Sequence, residues 1–426
     1  MKITQPNLIK IFSYLLFLFL LIFLCIFNFT LKPSGDELSY YQLSLPFDLV
    51  LIERNWHLPG FPLFLKIMNY LNFYEIAEYR VFITIINFSL IAAISYLMHV
   101  YFNVNRIYFL ILLIISPTFL FYFLSSLWAD IFSSLVFCLS FLLFLIYLQN
   151  KKKSHFFLTS LILFSFCTIL RPQYMLFVIS ISIISLIYIN KNISRKKLLK
   201  KNLIWLVINI LIFLPIAFVS FSNYLTYDIF LPFISPALAK LFHFPSSEFR
   251  ELIINSYNSF NFYGIHLFVE SYAMQSNISF GEAAKLINEK YTTKVSYLEW
   301  IYKNSISAFY IFTWDHKYVF LDRYIKLSCW GLEDCLVRDF STILYFLETF
   351  SRALYLIILL YITLTFVMLR NVSTFLISIF SSFLIIYFYI ICMNGIGLPH
   401  GRHFFELQVM IVMIFCLLKV NIKNYF

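Results

Sequence analysis

Apolar residues in this chain occur in long runs that short polar connectors separate. The runs are about 17–22 residues long, which is the length that an α-helix needs to cross roughly 30 Å of hydrocarbon. The first run is too long for a signal-peptide core and lacks a small-residue cleavage site, so we interpret it as a span. The pattern predicts an all-α polytopic membrane protein with about ten transmembrane helices, at residues 9–31, 80–102, 107–124, 130–149, 156–170, 173–190, 203–221, 345–369, 372–392 and 404–419.

Two polar segments lie between the predicted spans. Residues 32–79 form a first outer loop whose prolines break helices, with a short interfacial helix expected from about Phe61 to Leu71. Residues 222–344 are too polar and too interrupted to span, and they predict a small non-cytoplasmic subdomain. The predicted units are an N-terminal transmembrane module at 1–221, this outer subdomain at 222–344 and C-terminal transmembrane helices at 345–426.

Local signals in the outer subdomain predict one helix and leave one disulfide open. Ser279 and Glu282 have the spacing of a capping box, so a helix is expected to begin there. Cys329 and Cys335 close the short polar loop "CWGLEDC" and form either a disulfide, if the loop faces an oxidising compartment, or two free thiols. The remaining cysteines fall in or beside apolar runs, where they are expected to pack as small hydrophobes: Cys25, Cys138, Cys167, Cys392 and Cys416.

The charge balance indicates orientation rather than a nucleic-acid partner. The net charge is +11, and a cytoplasmic N-terminus would put fifteen of the 32 basic residues and no acid on the inner side. An excess of Lys and Arg marks the cytoplasmic side of a membrane protein and favours contact with anionic lipid. We therefore expect both termini in the cytoplasm and no nucleic-acid binding. With only eight glycines and no glycine-rich phosphate motif, a nucleotide-binding fold is not expected.

Polar and titratable residues near the membrane collect on the predicted outer face. A charge within the bilayer is costly and therefore usually marks function. No acid lies in the middle of a predicted span, which argues against an ion-coupled transporter. The outer residues near the membrane are Asp36, Glu37, His57, Asp130, Arg171, His400, Arg402, His403 and Glu406.

The order of these residues resembles a known family. Asp36 and Glu37 just after the first span, then "HLPGFPLFLKIMNYLN", resemble the C-type (GT-C) glycosyltransferases that use lipid-phosphate sugars, such as protein O-mannosyltransferases and lipid A aminoarabinose transferases. The likeness continues in "SPTFLFYFLSSLWAD", in the Arg-Pro pair at 171–172 and in "GRHFFEL". It covers most of residues 1–190 and the final thirty. Relatives often carry Lys-Pro-Pro or His-Pro-Pro, whereas here Gly60 and Phe61 separate the prolines.

The resemblance implies a GT-C-like fold and an enzyme that moves a sugar from a polyprenyl-phosphate donor. The acceptor would be an envelope protein, polysaccharide or glycolipid. Asp36 would be the general base of an inverting displacement, and Glu37 would orient the acceptor or bind a metal. The expected donor-phosphate ligands are Arg171, Arg402, His57 and His400, with Asp130 as a second acid or metal ligand; a divalent metal ion is left open.

Other interpretations stay open at this point. Each of these residues also has a structural alternative: a loop acid or helix cap, an interfacial anchor to lipid headgroups, or a packed histidine. A polysaccharide polymerase or ligase acting on lipid-linked oligosaccharide would share the spans and a large outer loop. A lipid-linked-sugar flippase would need polar groups through the membrane depth. The residue usage is typical of an AT-rich bacterial genome, which predicts a multi-pass protein of the cell (inner) membrane with its active site on the periplasmic or extracellular side.

Overall fold

The computed structural model describes residues 5–28, 35–45, 58–116, 119, 127, 129–149, 154–191, 195–230, 238, 241–242, 244–258, 260, 262–293, 337–368, 378–381, 383–385 and 402–419. Helices dominate these ranges, which contain no β-strand. In chain order the helices are α1 (Gln5–Asn28), α2 (Gly35–Ser44), α3 (Gly60–Tyr70), α4 (Ile76–Phe102), α5 (Arg106–Ile114), α6 (Ala129–Gln149), α7 (Ser154–Leu170), α8 (Pro172–Lys191), α9 (Arg195–Tyr227), α10 (Ser247–Tyr257), α11 (Phe262–Ser276), α12 (Phe280–Tyr291), α13 (Val337–Met368) and α14 (Arg402–Lys419).

Three helices in the described ranges are long and apolar enough to cross a membrane: Ile76–Phe102, Ala129–Leu148 and Trp205–Tyr227. Together with the absence of strands there, they indicate an all-α membrane protein in a lipid bilayer. Three helices rather than about ten meet this criterion, because the described apolar parts of five further helices are only 10–17 residues long. Most of the predicted span at 372–392 lies outside the described residues.

The helix bounds agree with several predicted segments and correct others. α3 occupies the place of the short helix expected from Phe61 to Leu71, and α9 extends well beyond the predicted 203–221. The predicted span at 107–124 is wrong as one continuous helix, because α5 ends at Ile114 and rises only about 13 Å over nine residues. The cause is Pro117, which lacks the N–H that would bond to the Leu113 carbonyl and disfavours helical backbone at Ser116.

Helix α6 lies at the centre of the bundle and α9 at its edge. The apolar part of α6 is 83% buried and packs against α4, α7 and α14, whereas that of α9 is 17% buried. Small residues let α6 and α7 approach closely, since the Ser140 hydroxyl donates to the Ser160 carbonyl and the Ser160 hydroxyl donates to the Ser140 carbonyl, both at 2.9 Å. The exposed apolar face of α9 suits contact with lipid.

A second, smaller hydrophobic cluster is formed by residues between Ile229 and Tyr291, on and around α10 to α12. The Ser279 hydroxyl accepts a hydrogen bond from the Glu282 N–H at 3.2 Å, which confirms the predicted start of α12. α12 also lies directly on the end of α9, because a Cβ at Gly281 would come within 2.8 Å of the Tyr227 carbonyl oxygen. The domain limits at 221 and 344 remain predictions.

The described cysteines behave as the sequence predicts. Cys138, Cys167 and Cys416 are thiols outside any disulfide and are buried in the main core, and Cys25 is likewise a thiol and partly buried. Burial in an apolar core suits a small hydrophobic side chain. Cys329 and Cys335, whose pairing the sequence left open, lie outside the described residues, as does Cys392.

Candidate active site

The first polar feature of the bundle is a fully buried ion pair between the acidic helix α2 and the first turns of α4. The Arg80 Nε donates to Glu37 Oε1 at 3.0 Å and the Arg80 Nη2 donates to Glu37 Oε2 at 2.9 Å. Both side chains are only 1% exposed. The two parallel bonds match the planar fork of a guanidinium to a carboxylate, the geometry of a strong and directional pair. Glu37 is therefore a buried, oriented acid and not a solvated loop residue.

A third bond to Glu37 comes from the segment that leads into α6. The Leu127 backbone N–H donates to Glu37 Oε1 at 3.2 Å, and Leu127 itself is fully buried. Glu37 therefore joins three parts of the chain: α2, α4 and the residues just before α6. Because these contacts are short and direct, the start of α4 and the start of α6 lie at the same end of the bundle.

A second ion pair involves an acid that lies one helical turn after Leu127 in the chain. Asp130, in the first turn of α6, accepts a hydrogen bond from Arg171 Nη2, at the junction of α7 and α8. Asp130 is 2% exposed and Arg171 is 12% exposed. The break between α7 and α8 that places Arg171 there follows from Pro172, which suits the first position of a helix. Because Asp130 follows Leu127 by three residues, a single short segment contacts Glu37 and carries the partner of Arg171.

Hydrogen bonds from α3 and α4 fix the position of α2. The Asn69 Nδ2 donates to the Ser44 carbonyl at 2.7 Å, so Asn69 caps the end of α2. The Tyr79 hydroxyl in turn donates to Asn69 Oδ1.

The Tyr41 hydroxyl of α2 donates to the Tyr74 carbonyl. Burial, together with the Glu78 and Glu75 carboxylates, raises the pKa of the Tyr41 hydroxyl and keeps it a donor.

Glycine is required where α3 begins. A Cβ at Gly60 would lie 2.6 Å from the carbonyl oxygen of Ile169, in the last turn of α7. No real Cβ tolerates that distance from a backbone oxygen, so α3 can approach α7 this closely only through glycine. The contact lies two residues before Arg171. The glycine that separates the two prolines therefore has a packing reason.

The structure links three of the seven predicted site residues, two of them by a direct side-chain contact. Glu37 is joined through Leu127 to the segment that carries Asp130, and Asp130 contacts Arg171. Asp36 lies in the first turn of α2 beside Glu37, and Arg402 is the first residue of α14, but the structure describes only their backbones. His57 and His400 lie outside the described residues.

Two of the predicted site acids, Glu37 and Asp130, have described side chains, and both are partners of guanidinium groups. Glu37 pairs with Arg80 and Asp130 with Arg171. Among the residues that the structure describes, no group of three His, Cys, Asp or Glu side chains is arranged to hold a metal ion. In this part of the chain, neither Glu37 nor Asp130, each a possible metal ligand from the sequence, belongs to such a group.

Arg80 is the site residue that the sequence analysis did not select. It lies at the first position of the predicted span at 80–102. The available signal was an arginine in an otherwise apolar helix, because a buried cation needs an anionic partner. Its partner lies 43 positions earlier, so no local spacing links the two.

No family model, curated protein or solved structure matches the chain. Two buried carboxylate–guanidinium pairs lie at one end of a helical bundle, and an additional acid, Asp36, lies in the first turn of the helix that one of them anchors. A guanidinium group suits contact with a phosphate, and each of these two guanidinium groups has its direction fixed by a carboxylate.

Proposed function

We propose that this chain is a GT-C-type glycosyltransferase with about ten membrane spans. It would move a sugar from a polyprenyl-phosphate donor to an envelope acceptor, which is a protein, a polysaccharide or a glycolipid. The reaction would take place at the outer face of the cell membrane, with both termini in the cytoplasm. A donor held in the membrane suits an outer compartment, which lacks nucleotide sugars.

The observation that supports this proposal most directly is the short segment from Leu127 to Asp130. Its first residue donates to Glu37, and its last residue pairs with Arg171. The helix that carries the acidic pair and the arginine proposed for the donor phosphate thereby contact the same short segment. A general base and a phosphate ligand have to lie on either side of the same anomeric carbon, and this shared contact supports such an arrangement.

In the proposed step, Asp36 removes the proton from the acceptor hydroxyl as the hydroxyl oxygen attacks the anomeric carbon. The new carbon–oxygen bond forms while the bond between that carbon and the phosphate oxygen breaks. The electron pair leaves with the polyprenyl phosphate, and the proton stays on Asp36. The position of Asp36 in the first turn of α2 suits this role, because the positive end of a helix dipole favours a carboxylate.

The other residues take supporting roles. Arg171 and Arg402, helped by His57 and His400, would bind the phosphate as its charge grows during bond breaking. Asp130 would fix the direction of the Arg171 guanidinium, and Glu37 would position α2, and with it Asp36, through Arg80 and Leu127. We therefore assign Glu37 as a positioning residue and keep Asp36 as the catalytic one.

The decisive experiment compares Asp36→Asn with the unchanged protein in isolated membranes. The probes are polyprenyl-phosphate hexoses and pentoses that carry a radiolabel in the sugar, and label is counted in the protein, glycan and glycolipid fractions. Loss of the base is expected to slow transfer by about 10²- to 10⁴-fold. Asp228→Asn, in the segment between α9 and α10, is the matched control and should transfer normally.

Two outcomes would count against the proposal. Normal transfer by Asp36→Asn, at equal expression, would remove the base assignment. A second donor, a radiolabelled lipid-linked oligosaccharide, tests the alternative: transfer of its whole block, with no transfer of single sugars, would instead indicate a polysaccharide polymerase or ligase.

A further inference from the structure

Helix α5 ends inside the bundle, where its last carbonyl groups need donors. The final carbonyls of any helix have no partner within the helix. In α5 this need is greater, because Pro117 cannot supply the N–H that would reach the Leu113 carbonyl. Within a bilayer, no water is present to satisfy such groups, so protein donors have to do so.

The donors are side chains from the two C-terminal helices. The Tyr355 hydroxyl of α13 donates to the Leu112 carbonyl, and Gln408 Nε2 of α14 donates to the Leu113 carbonyl at 3.2 Å. Gln408 Nε2 also donates to the Tyr355 hydroxyl oxygen at 2.6 Å. Tyr355 is 1% exposed and Gln408 is fully buried. We call Tyr355, Gln408 and the two carbonyls they contact the α5 clamp.

The α5 clamp joins the end of α5 to α13 and α14, the last of which begins with Arg402. The chain continues from the clamped end of α5 to Leu127, whose N–H contacts Glu37. On the other side, Arg402 begins α14 six residues before Gln408, about 9 Å along the helix axis. The clamp thus fixes the helix that begins with Arg402 to the end of α5, which precedes Leu127 by thirteen residues in the chain.

We propose that Tyr355 and Gln408 are positioning residues that hold α13 and the start of α14, and with it Arg402, in register with the acidic end of the bundle. This inference rests on the proposed function only for the role of Arg402. The register itself is a structural property that can be measured without any substrate.

The first test measures the register with spin labels at Leu38 of α2 and Phe350 of α13, which are 39% and 53% exposed. Each label is attached to a cysteine introduced at one of these two positions, in a full chain whose native cysteines have been replaced. Tyr355→Phe and Gln408→Met remove the donors at nearly constant volume, and each is expected to broaden the distance distribution. Thr363→Val is the matched control, because the Thr363 hydroxyl donates only within α13, to the Leu359 carbonyl. Unchanged widths in both clamp variants would overturn the proposal.

The second test asks whether Gln408 acts through Arg402, with a photoreactive decaprenyl phosphate as the probe. In an otherwise unchanged chain, Arg402→Ala should weaken binding of the probe about tenfold, because one charge-assisted bond is lost. In a chain that already carries Gln408→Met, the same substitution should weaken binding much less. Arg171→Ala should have the same effect in both backgrounds. An Arg402→Ala effect that is equal in both would show that the clamp is structural only.

The two tests separate the proposals from each other. If the unchanged protein does not bind decaprenyl phosphate, the proposed function fails. The spin-label distances then still decide whether Tyr355 and Gln408 set the register of the C-terminal helices.

Discussion

At the scale of single residues, the Glu37–Arg80 pair carries the largest energetic consequence. Both charges are removed from water, and that cost is offset only while the two bonds between them and the Leu127 N–H are all present. A buried pair of this kind adds little net stability compared with apolar side chains of the same size. Removing one partner, however, leaves an uncompensated charge in the core.

We therefore expect Arg80→Met to destabilise the protein by about 3–5 kcal/mol, measured as a lower thermal midpoint in detergent. The double variant Glu37→Leu with Arg80→Met removes both charges and should recover most of that stability. It should nevertheless transfer sugar poorly, because α2 would lose its directional contact with Leu127. A double variant as unstable as the single one would contradict the ion-pair account, and normal transfer would contradict the positioning role of Glu37.

Arg171 gives a second prediction at this scale. Arg171→Lys keeps the charge but loses the planar fork that suits a phosphate, so binding of photoreactive decaprenyl phosphate should fall about tenfold, as for the loss of a charge-assisted bond. Arg106→Lys is the control, because that guanidinium lies at the start of α5, over the Tyr96 ring at 5.1 Å. Equal binding by Arg171→Lys and the unchanged protein would indicate an anchoring role for Arg171.

Sequence reasoning selected Glu37, Asp130 and Arg171 because polar residues that border apolar runs are conspicuous. It could not assign their partners, since pairing depends on which helices are neighbours. Asp130 was interpreted either as a helix-start residue or as a second acid, and it is both in the first turn of α6 and bonded to Arg171. Arg80 was not selected because it stands at the start of an apolar run, where it reads as the edge of a span and not as a site residue.

At the scale of helices, α2, α3 and the start of α4 form one platform that carries the acidic pair. Asn69 links the end of α2 to α3 and, through Tyr79, to α4. The T-shaped contact of Tyr40 with Phe61, at 5.0 Å between ring centroids, adds apolar packing between α2 and α3. The platform meets α7 at Gly60, so its position relative to Arg171 depends on that glycine.

Gly60→Ala is expected to push α3 away from α7 and to destabilise the protein by about 1–3 kcal/mol, because the new methyl group meets a backbone oxygen. Transfer should fall with it, since α3 carries Asn69 and so supports α2. The comparison variant is Gly281→Ala, which creates a similar overlap at the junction of α9 and α12. Both variants should lower the thermal midpoint in detergent, but only Gly60→Ala should impair transfer. Equal transfer losses in the two would show that the loss reflects instability alone.

Helix bounds could be predicted well where the pattern of apolar residues ends abruptly. The predicted span at 130–149 differs from α6 by one residue, because acidic and amide residues mark its limits. The predicted span at 107–124 is longer than α5, because Ser116 and Pro117 disfavour a continuous helix without interrupting the run of apolar residues. α9 was underestimated because its first turns are rich in Lys and Arg, which remain helical although they are not apolar.

At the scale of the whole molecule, charge is distributed unevenly along the chain. Residues 131–227 contain ten basic residues and no acid, and most of those cations lie in the connector between α6 and α7 or around the start of α9. The ion pairs of the proposed site lie at the opposite ends of α6 and α7. A cation-rich, acid-free end of a helical bundle is the expected cytoplasmic side, which would place the site outside.

This sidedness can be measured with single cysteines in an otherwise cysteine-free chain. In intact cells, a membrane-impermeant maleimide should label Glu282→Cys, at an exposed position of α12, and should label Lys152→Cys only after permeabilisation. The reverse pattern would place the acidic helix and both ion pairs at the cytosolic face. Water-soluble nucleotide sugars are available there, so the reason for a lipid-linked donor would disappear even if Asp36 proved catalytic.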